Sequence, residues 1–363
     1  MIRKLLSADY PRSRLVAALL LAILLLLALA PFVFPGARSM SVAAKILVFV
    51  LLVASYDLLL GYTGIVSFAH TMFFGIGAYG VAIACTRLGP TWTAIGVGLL
   101  GALALSALLS LAIGLFSLRV KAIFFAMITL AVAAAFQTLA SQLSEITGGE
   151  DGLSFRVPQM LRPSFELFDG PVLGASIDGR VLTYYLLFLT VLLLFLALLR
   201  IVNSPFGRVL QAIRENDFRA EAIGYRTVVF RTVSNVLAAL FATVAGALLA
   251  IWLRYNGPDT SLSFEIMLDT LLIVVIGGMG TMYGAVIGSA FFVLAQSYLQ
   301  DLMRLVSEAF SALPLAAAMF SPDRWLLWLG LLFVLSVYHF PTGVVGRLRA
   351  RALPTTAARV VRR

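Results

Sequence analysis

Long apolar runs separated by short polar segments make up most of the chain. Each run has about 20 residues, enough for one α-helix to cross the roughly 30 Å hydrocarbon core of a bilayer. The runs are continuously apolar, whereas the strands of a transmembrane β-barrel would alternate with a period of two. The pattern therefore predicts an all-α polytopic membrane protein with about ten transmembrane helices. These helices are predicted near residues 15–34, 42–60, 66–85, 92–116, 122–143, 182–200, 231–252, 264–278, 281–299 and 325–341.

One pair of predicted spans leaves this number open. The run 264–278 is short, and it passes into the run 281–299 through Gly277-Gly278-Met279-Gly280. Glycine clusters of this kind mark turns and breaks. The two runs are therefore either two separate spans or parts of a re-entrant or broken pair, and counts of eight or nine are the alternatives.

Composition supports the membrane class. Hydrophobic residues make up 61% of the chain and charged residues only 12%, with a mean hydropathy of +1.01. A water-soluble surface needs about a quarter of its residues charged. The run from Leu15 to Phe34 is longer than the apolar core of a secretory signal peptide, so we expect it to be retained as the first helix. The single cysteine, Cys85, excludes a disulfide framework.

The distribution of charge predicts the orientation. The net charge of +10 is better explained by arginines at the ends of cytoplasmic loops than by a nucleic-acid partner. With the N-terminus inside, and with Arg200 and Arg231 counted in the loop that they flank, the cytoplasmic segments hold 18 of the 27 Lys and Arg residues. Both termini are therefore predicted to be cytoplasmic, with lipid as the surrounding partner. The predicted cytoplasmic segments are 1–14, 61–65, 117–121, 201–230, 279–280 and 342–363.

The same assignment predicts the domain organisation. A single transmembrane domain, residues 15–341, lies between the N-terminal segment 1–14 and a basic tail, 342–363. Two external loops are long, 144–181 and 300–324, and the first is rich in glycine and proline. Loops of this length often cap or bind something.

The most charged stretch is residues 203–226, NSPFGRVLQAIRENDFRAEAIGYR, which we call the polar loop. Asn203-Ser204-Pro205 is a helix-start signal, with a capping residue followed by proline in the first turn. Apolar residues follow at near-helical spacing, and Gly224 supplies a helix stop. The loop is predicted to form one or two short amphipathic helices outside the membrane.

Three interpretations of the polar loop are open. It is a basic helix lying on anionic lipid, a docking element for a cytosolic protein, or a solvated connector. Glu215, Asp217 and Glu221 would face lipid phosphate unfavourably. Mixed charge with embedded apolar residues is more typical of a protein interface.

The polar loop resembles the cytoplasmic loop of permease subunits from branched-chain amino acid ABC importers, the branched-chain amino acid/urea permease family. Three further stretches match the same family in the same order, and the resemblance extends over roughly residues 40–300. Its pattern is similar to LivM-type rather than LivH-type permeases. The stretches are GYTGIVSFAHTMFFGIGAYGVA at 61–82, ITGGEDGLS at 146–154 and IGGMGTMYGAVIGS at 276–289.

The resemblance implies a function and a set of partners. Such permeases translocate leucine, isoleucine or valine across the bacterial inner membrane. They pair with a LivH-type permease, bind two cytosolic ABC ATPases, and receive the amino acid from a periplasmic binding protein. The polar loop would be the coupling helix seated on an ATPase, with its charges paired across that interface. The coupling residues implied are Arg208, Arg214, Glu215, Asp217, Arg219, Glu221, Ala222 and Gly224.

The sequence contains no phosphate-binding loop of its own. Such a loop ends in Gly-Lys-Ser/Thr. The three lysines, Lys4, Lys45 and Lys121, each follow a residue other than glycine. We therefore expect a transporter subunit that is not an enzyme and has no cofactor or metal, with ATP used by the partner subunits.

Glycines and membrane-depth polar residues are the remaining candidates. Gly280, Gly284 and Gly288 recur at four-residue intervals, which predicts a shared helix face for close packing. Gly75 and Gly77 are predicted to pack in the third span. For His70, a hydrogen bond between helices is the favoured role. The candidate pathway residues are Ser67, His70, Thr71, Gln137, Asn235 and Asp269.

Two alternative functions are left open by the residues. Urea or short amides are the substrates of a closely similar permease group. An ion-coupled secondary transporter would need titrating carboxylates at the membrane midplane, and Asp57 and Asp269 lie only near span ends.

Overall fold

The computed structural model describes residues 13–34, 36–117, 122–166, 178–309, 319–340, 343 and 345–347. The predicted N-terminal segment, the loop 117–121, the external loops and the basic tail therefore lie wholly or partly outside the described residues. The first helices are α1 (Arg14–Val33), α2 (Ala37–Leu60), α3 (His70–Leu88), α4 (Trp92–Ser117), α5 (Ala122–Gln142), α6 (Ser144–Thr147) and α7 (Gly179–Val202). The later helices are α8 (Pro205–Glu215), α9 (Asp217–Ala222), α10 (Thr227–Leu253), α11 (Pro258–Ser261), α12 (Phe264–Gly277), α13 (Met282–Ala309) and α14 (Trp325–His339).

The chain is an all-α, multi-pass membrane protein, as the apolar runs predict. Nine helices within the described residues are long and apolar enough to cross a membrane. A tenth, α14, corresponds to the last predicted span but has only 15 residues. The run 264–278 forms α12 with 14 residues, about 21 Å long. It is a helix separate from α13, and the preceding turn of helix, α11, extends the apolar stretch to Pro258–Gly277.

Helix α2 is the centre of the bundle. Every side chain from Ile46 to Leu59 is buried. The buried share of its apolar stretch is 94%, against 17% in α1 and in α5. It contacts α7, α10, α12 and α13. The peripheral helices keep long rows of exposed leucines, which suit contact with lipid tails or with another membrane subunit.

Glycines set the closest approaches between helices. Gly77 of α3 lies against the backbone carbonyl of Thr243 in α10, and Gly246 of α10 lies against that of Phe74 in α3. Because lipid tails supply no hydrophobic drive between helices, backbone contact of this kind carries much of their association. Gly75 likewise lies against Leu262, so Gly75 and Gly77 both occupy close contacts between packed segments.

The predicted glycine face of the ninth span is wrong at one position. Gly284 and Gly288 lie in α13 and pack on α12, as expected. Gly280 lies before α13, in the turn that joins the two helices, with φ of 78°. A left-handed backbone favours glycine, so this position is a turn residue and not part of a helix seam.

Segments predicted to share a side of the membrane meet at the same end of the bundle. At the predicted cytoplasmic end, the polar loop, the segment after α2 and the α12–α13 turn are joined by hydrogen bonds. At the predicted external end, strands β1 (Leu153–Ser154) and β2 (Tyr255–Asn256) pair antiparallel. This grouping agrees with the predicted alternation of loops, and the side that faces the cytoplasm stays a prediction.

Candidate functional site

The polar loop forms two short helices, α8 and α9, where the sequence left one or two open. Ser204 caps α8 by accepting a hydrogen bond from Gly207 N at 3.4 Å, and Pro205 occupies its first turn. Asn216 then caps α9 by accepting from Arg219 N at 2.9 Å. Gly224, with φ of 98°, follows the end of α9. Local capping signals therefore account for both helices.

The buried face of the polar loop holds α8 on the bundle. Leu210 and Ile213 are fully buried, and they lie three residues apart on one helix face. Phe206 stacks on Phe230 of α10 with ring centroids 5.7 Å apart. These apolar contacts fix α8 against the transmembrane helices.

A polar cluster joins the loop to two transmembrane elements. The Arg214 guanidinium donates to the backbone carbonyl of Gly61, the residue that follows α2. The buried carboxylate of Asp57, in the last turn of α2, accepts from Gly280 N at 2.9 Å. We call these four residues, Asp57, Gly61, Arg214 and Gly280, the anchor cluster. It ties α8, α2 and the α12–α13 turn together at the predicted cytoplasmic end.

Three charged side chains of the polar loop form bonds within the chain. Asp217 forms an ion pair with Arg231 of α10 at 2.9 Å. Glu221 accepts a hydrogen bond from the Thr227 hydroxyl at 2.6 Å. With Arg214, these residues bond within the chain, and the pairing of the loop charges across an interface stays a prediction. Their bonds instead hold the loop against α2 and α10.

The remaining surface of the polar loop is exposed and carries both apolar and charged side chains. Phe218 is 83% exposed and Ile223 is 68% exposed, on and just after α9. Arg208, Glu215 and Arg219 are exposed as well, and each lacks an ion pair within the described residues. We call Arg208, Glu215, Phe218, Arg219 and Ile223 the open face of the loop. Ala222 and Gly224 are also exposed, beside it.

The predicted pathway residues divide into separate environments. His70 and Ser55 are buried, and His70 Nε2 lies 2.9 Å from the Ser55 hydroxyl, which confirms a hydrogen bond between α3 and α2. Asn235 donates to the carbonyl of Ser110 at 2.8 Å, tying α10 to α4. These two polar groups bond neighbouring helices, as buried polar groups in a bundle usually do.

The other pathway candidates do not form one cluster with these. Ser67 and Thr71 are buried near the start of α3, and Gln137 is half-buried on peripheral α5. Asp269 lies in α12 and lines a cavity at the predicted external end. Hydrophobic patterning places polar residues at a depth but does not tell which of them face each other.

Sequence reasoning missed Lys45 as a residue of that cavity. Lys45 of α2 and Gln296 of α13 line it together with Asp269. The signal was present, since Lys45 is an ionisable residue within an apolar run, and such residues mark functional sites in membrane proteins. Only the tertiary arrangement brings the three side chains together.

Comparisons with known proteins match the chain to permeases. The family model described as branched-chain amino acid transport system / permease component matches residues 39–336. The permease LivM of Salmonella typhimurium is 26% identical over 300 residues, which cover 78% of this chain and 68% of that protein. LivM of Escherichia coli is 27% identical over 302 residues, with the same coverage.

A third relative is matched over a larger share of its own length. A probable LivM permease of Methanocaldococcus jannaschii is 24% identical over 323 residues, covering 80% of this chain and 88% of that protein. No solved structure matches the chain significantly. The resemblance to LivM-type permeases, first seen in four short stretches, is confirmed over most of the sequence.

Proposed function

The chain belongs to the family of permease components of branched-chain amino acid transport systems, and from that premise we propose that it forms part of the membrane pathway of an ABC importer for leucine, isoleucine and valine. The observation that carries the proposal is the family match over residues 39–336, together with the LivM relatives. The bundle of apolar helices suits a location in the bacterial inner membrane.

The partners follow from this proposal. The chain pairs with a LivH-type permease, two cytosolic ATPases attach to the pair, and a periplasmic binding protein delivers the amino acid. ATP is bound and hydrolysed by the ATPases, and this chain itself carries no cofactor. The exposed leucine rows of the peripheral helices support a place for a second membrane subunit.

The open face of the polar loop is the docking surface for an ATPase. An exposed phenylalanine and isoleucine among charged residues are unfavourable in water but suit a groove on a protein partner. The bonds of Arg231 to Asp217 and of Thr227 to Glu221 hold the loop in position. Binding of the ATPase therefore costs little conformational entropy in the loop.

The anchor cluster transmits motion from that surface to the bundle. Arg214 connects α8 to the end of α2, and Asp57 connects α2 to the α12–α13 turn. A displacement of α8 therefore acts on α2 and on the α12–α13 turn. It does so through hydrogen bonds and close packing rather than through a flexible linker.

Phe218→Asp tests the docking surface. It places a charge where the groove would receive an aromatic ring, so we expect the ATPase subunits to be lost on co-purification and ATP-driven leucine uptake to fail, with membrane insertion intact. Met160→Asp is the matched control, since Met160 is an exposed apolar residue, 56% exposed, at the predicted external end. An ATPase that stays bound to the Phe218→Asp variant as well as to the control would contradict the proposal.

A further inference from the structure

A polar cavity opens between α2, α10, α12 and α13 at the predicted external end. Its volume is about 540 Å³, within the range of small-molecule sites. Phe49, Phe74 and Trp252 supply apolar walls. Lys45 and Asp269 supply opposite charges that are half-buried, while the carboxylates of Asp259 and Glu265 also line the cavity but are exposed. The cavity therefore combines a place for an aliphatic group with two places for charged groups.

The two charges are held apart by an amide. The Lys45 ammonium donates to Gln296 Oε1 at 2.8 Å, and Gln296 Nε2 donates to Asp269 Oδ2 at 3.3 Å. No ion pair joins Lys45 to Asp269, although both lie within the described residues. An ammonium has three donors and a carboxylate about four acceptor positions, so each group keeps capacity for a ligand of opposite charge. Charges at membrane depth are costly without such partners.

We propose that this cavity binds the amino acid as a zwitterion, with Lys45 receiving its carboxylate and Asp269 its ammonium group. Lys45 and Phe49 lie four residues apart on one face of α2, so a carboxylate at Lys45 leaves the aliphatic side chain beside the Phe49 ring. This proposal rests on the proposed import function and names the site at which the chain receives its substrate.

The charge arrangement favours an amino acid over urea or short amides. A neutral ligand would leave the ammonium and the carboxylate without charged partners, and sites built for specific polar groups reject ligands that lack them. A zwitterion satisfies both groups with charge-assisted hydrogen bonds.

Arg38 at the rim of the cavity has a different role. It forms an ion pair with Asp301 at 2.7 Å and donates to the Ser297 carbonyl at 2.7 Å. Its charge is already compensated within the chain. Arg38 therefore serves as a control for the loss of a basic residue near the cavity.

Ligand protection of a cysteine measures binding in the absence of the binding protein. In the full-length chain with its partner subunits in membrane vesicles, Cys85→Ser removes the only cysteine and Thr260→Cys places one in the cavity lining. The rate of modification by a cationic methanethiosulfonate is measured with and without ligand. Leucine near ten times its dissociation constant is expected to slow the reaction roughly tenfold. Leucinamide, 4-methylpentanoate and urea at the same concentration are expected to leave the rate unchanged.

Variants assign the effect to the two charges. Protection, taken as the ratio of rates within each variant, should disappear in Lys45→Met and in Asp269→Asn and persist in Lys45→Arg and Arg38→Met. Protection by leucinamide or urea equal to that by leucine, or protection that persists in both Lys45→Met and Asp269→Asn, would overturn the proposal. If the Lys45→Met variant fails to insert into the membrane, the result for Asp269→Asn decides the test: protection that persists in this variant overturns the proposal.

Leucine uptake separates this proposal from the one on which it rests. ATP-driven uptake is measured on vesicles of the same preparation, with the binding protein added. If leucine is taken up but does not protect the cysteine at position 260 in the chain with Lys45 and Asp269 intact, the cavity site alone is overturned. If branched-chain amino acids are not taken up at all, the import function itself is contradicted.

Discussion

Gly77 shows how one residue fixes the distance between two helices. A Cβ atom at this position would collide with the backbone carbonyl of Thr243, and backbone cannot move aside as a flexible side chain can. The reciprocal contact of Gly246 with Phe74 makes the crossing of α3 and α10 closely packed from both sides.

Gly77→Ala is expected to lower the free energy of unfolding by about 1–3 kcal/mol, because the two helices must separate to admit the methyl group. The measurement is the midpoint of thermal unfolding in detergent micelles. Gly96→Ala in α4 is the control, since a Cβ atom there meets nothing within 4 Å. Its midpoint should be unchanged or slightly higher, because alanine favours helix. Equal midpoints for the two variants would contradict this account of the crossing.

Single residues also show where sequence reasoning ends. Ser204 and Gly224 were predictable because capping and stopping depend on the few residues beside them. Gly280 was misassigned because glycines four residues apart look alike whether the helix begins before or after the first of them. Lys45 and Asp269 meet only through the packing of α2, α12 and α13, which no local pattern contains.

At the scale of elements, α8 is held against the transmembrane helices by its apolar face and by its last turn. Its apolar face is buried by Leu210 and Ile213, and its last turn is bonded to the end of α2 through Arg214. The apolar runs predicted the transmembrane helices well because length and hydrophobicity suffice for that purpose. They could not show that α2 is central and α1 peripheral, since both helices are long and apolar enough to cross a membrane.

Arg214→Met is expected to uncouple ATP hydrolysis from transport. The variant loses a charged hydrogen bond to Gly61, so the amount of leucine moved per ATP hydrolysed should fall about tenfold while the ATPases stay attached. Transport and phosphate release are measured together in proteoliposomes. Arg156→Met, which changes an exposed arginine at the predicted external end, should keep the ratio of the parent chain. An unchanged ratio in Arg214→Met would exclude the anchor cluster as the transmitting element.

At the scale of the whole molecule, loops far apart in sequence gather at two opposite ends. The polar loop, Gly61 and Gly280 meet at one end, while Arg87 donates to the carbonyl of Glu145 at the other, at 2.7 Å. The positive-inside rule assigns the first end to the cytoplasm.

Chemical labelling checks this orientation. In a Cys85→Ser chain, Arg156→Cys and Arg226→Cys each place a thiol at an exposed position, one at each end. A membrane-impermeant maleimide added to right-side-out vesicles should modify position 156 at once and position 226 only after permeabilisation. The reverse order would show that the termini face outward.

The central position of α2 has a consequence for how the protein is made. Two of its charged residues find their partners late, since Asp57 bonds Gly280 and Lys45 bonds Gln296, 223 and 251 positions further along. A nascent polypeptide therefore carries an ammonium and a carboxylate through the translocon long before either meets its hydrogen-bond partner, at a cost of about 3 kcal/mol each in lipid. Polypeptides that stop before residue 280 lack both hydrogen-bond partners, and membrane proteases should remove them first.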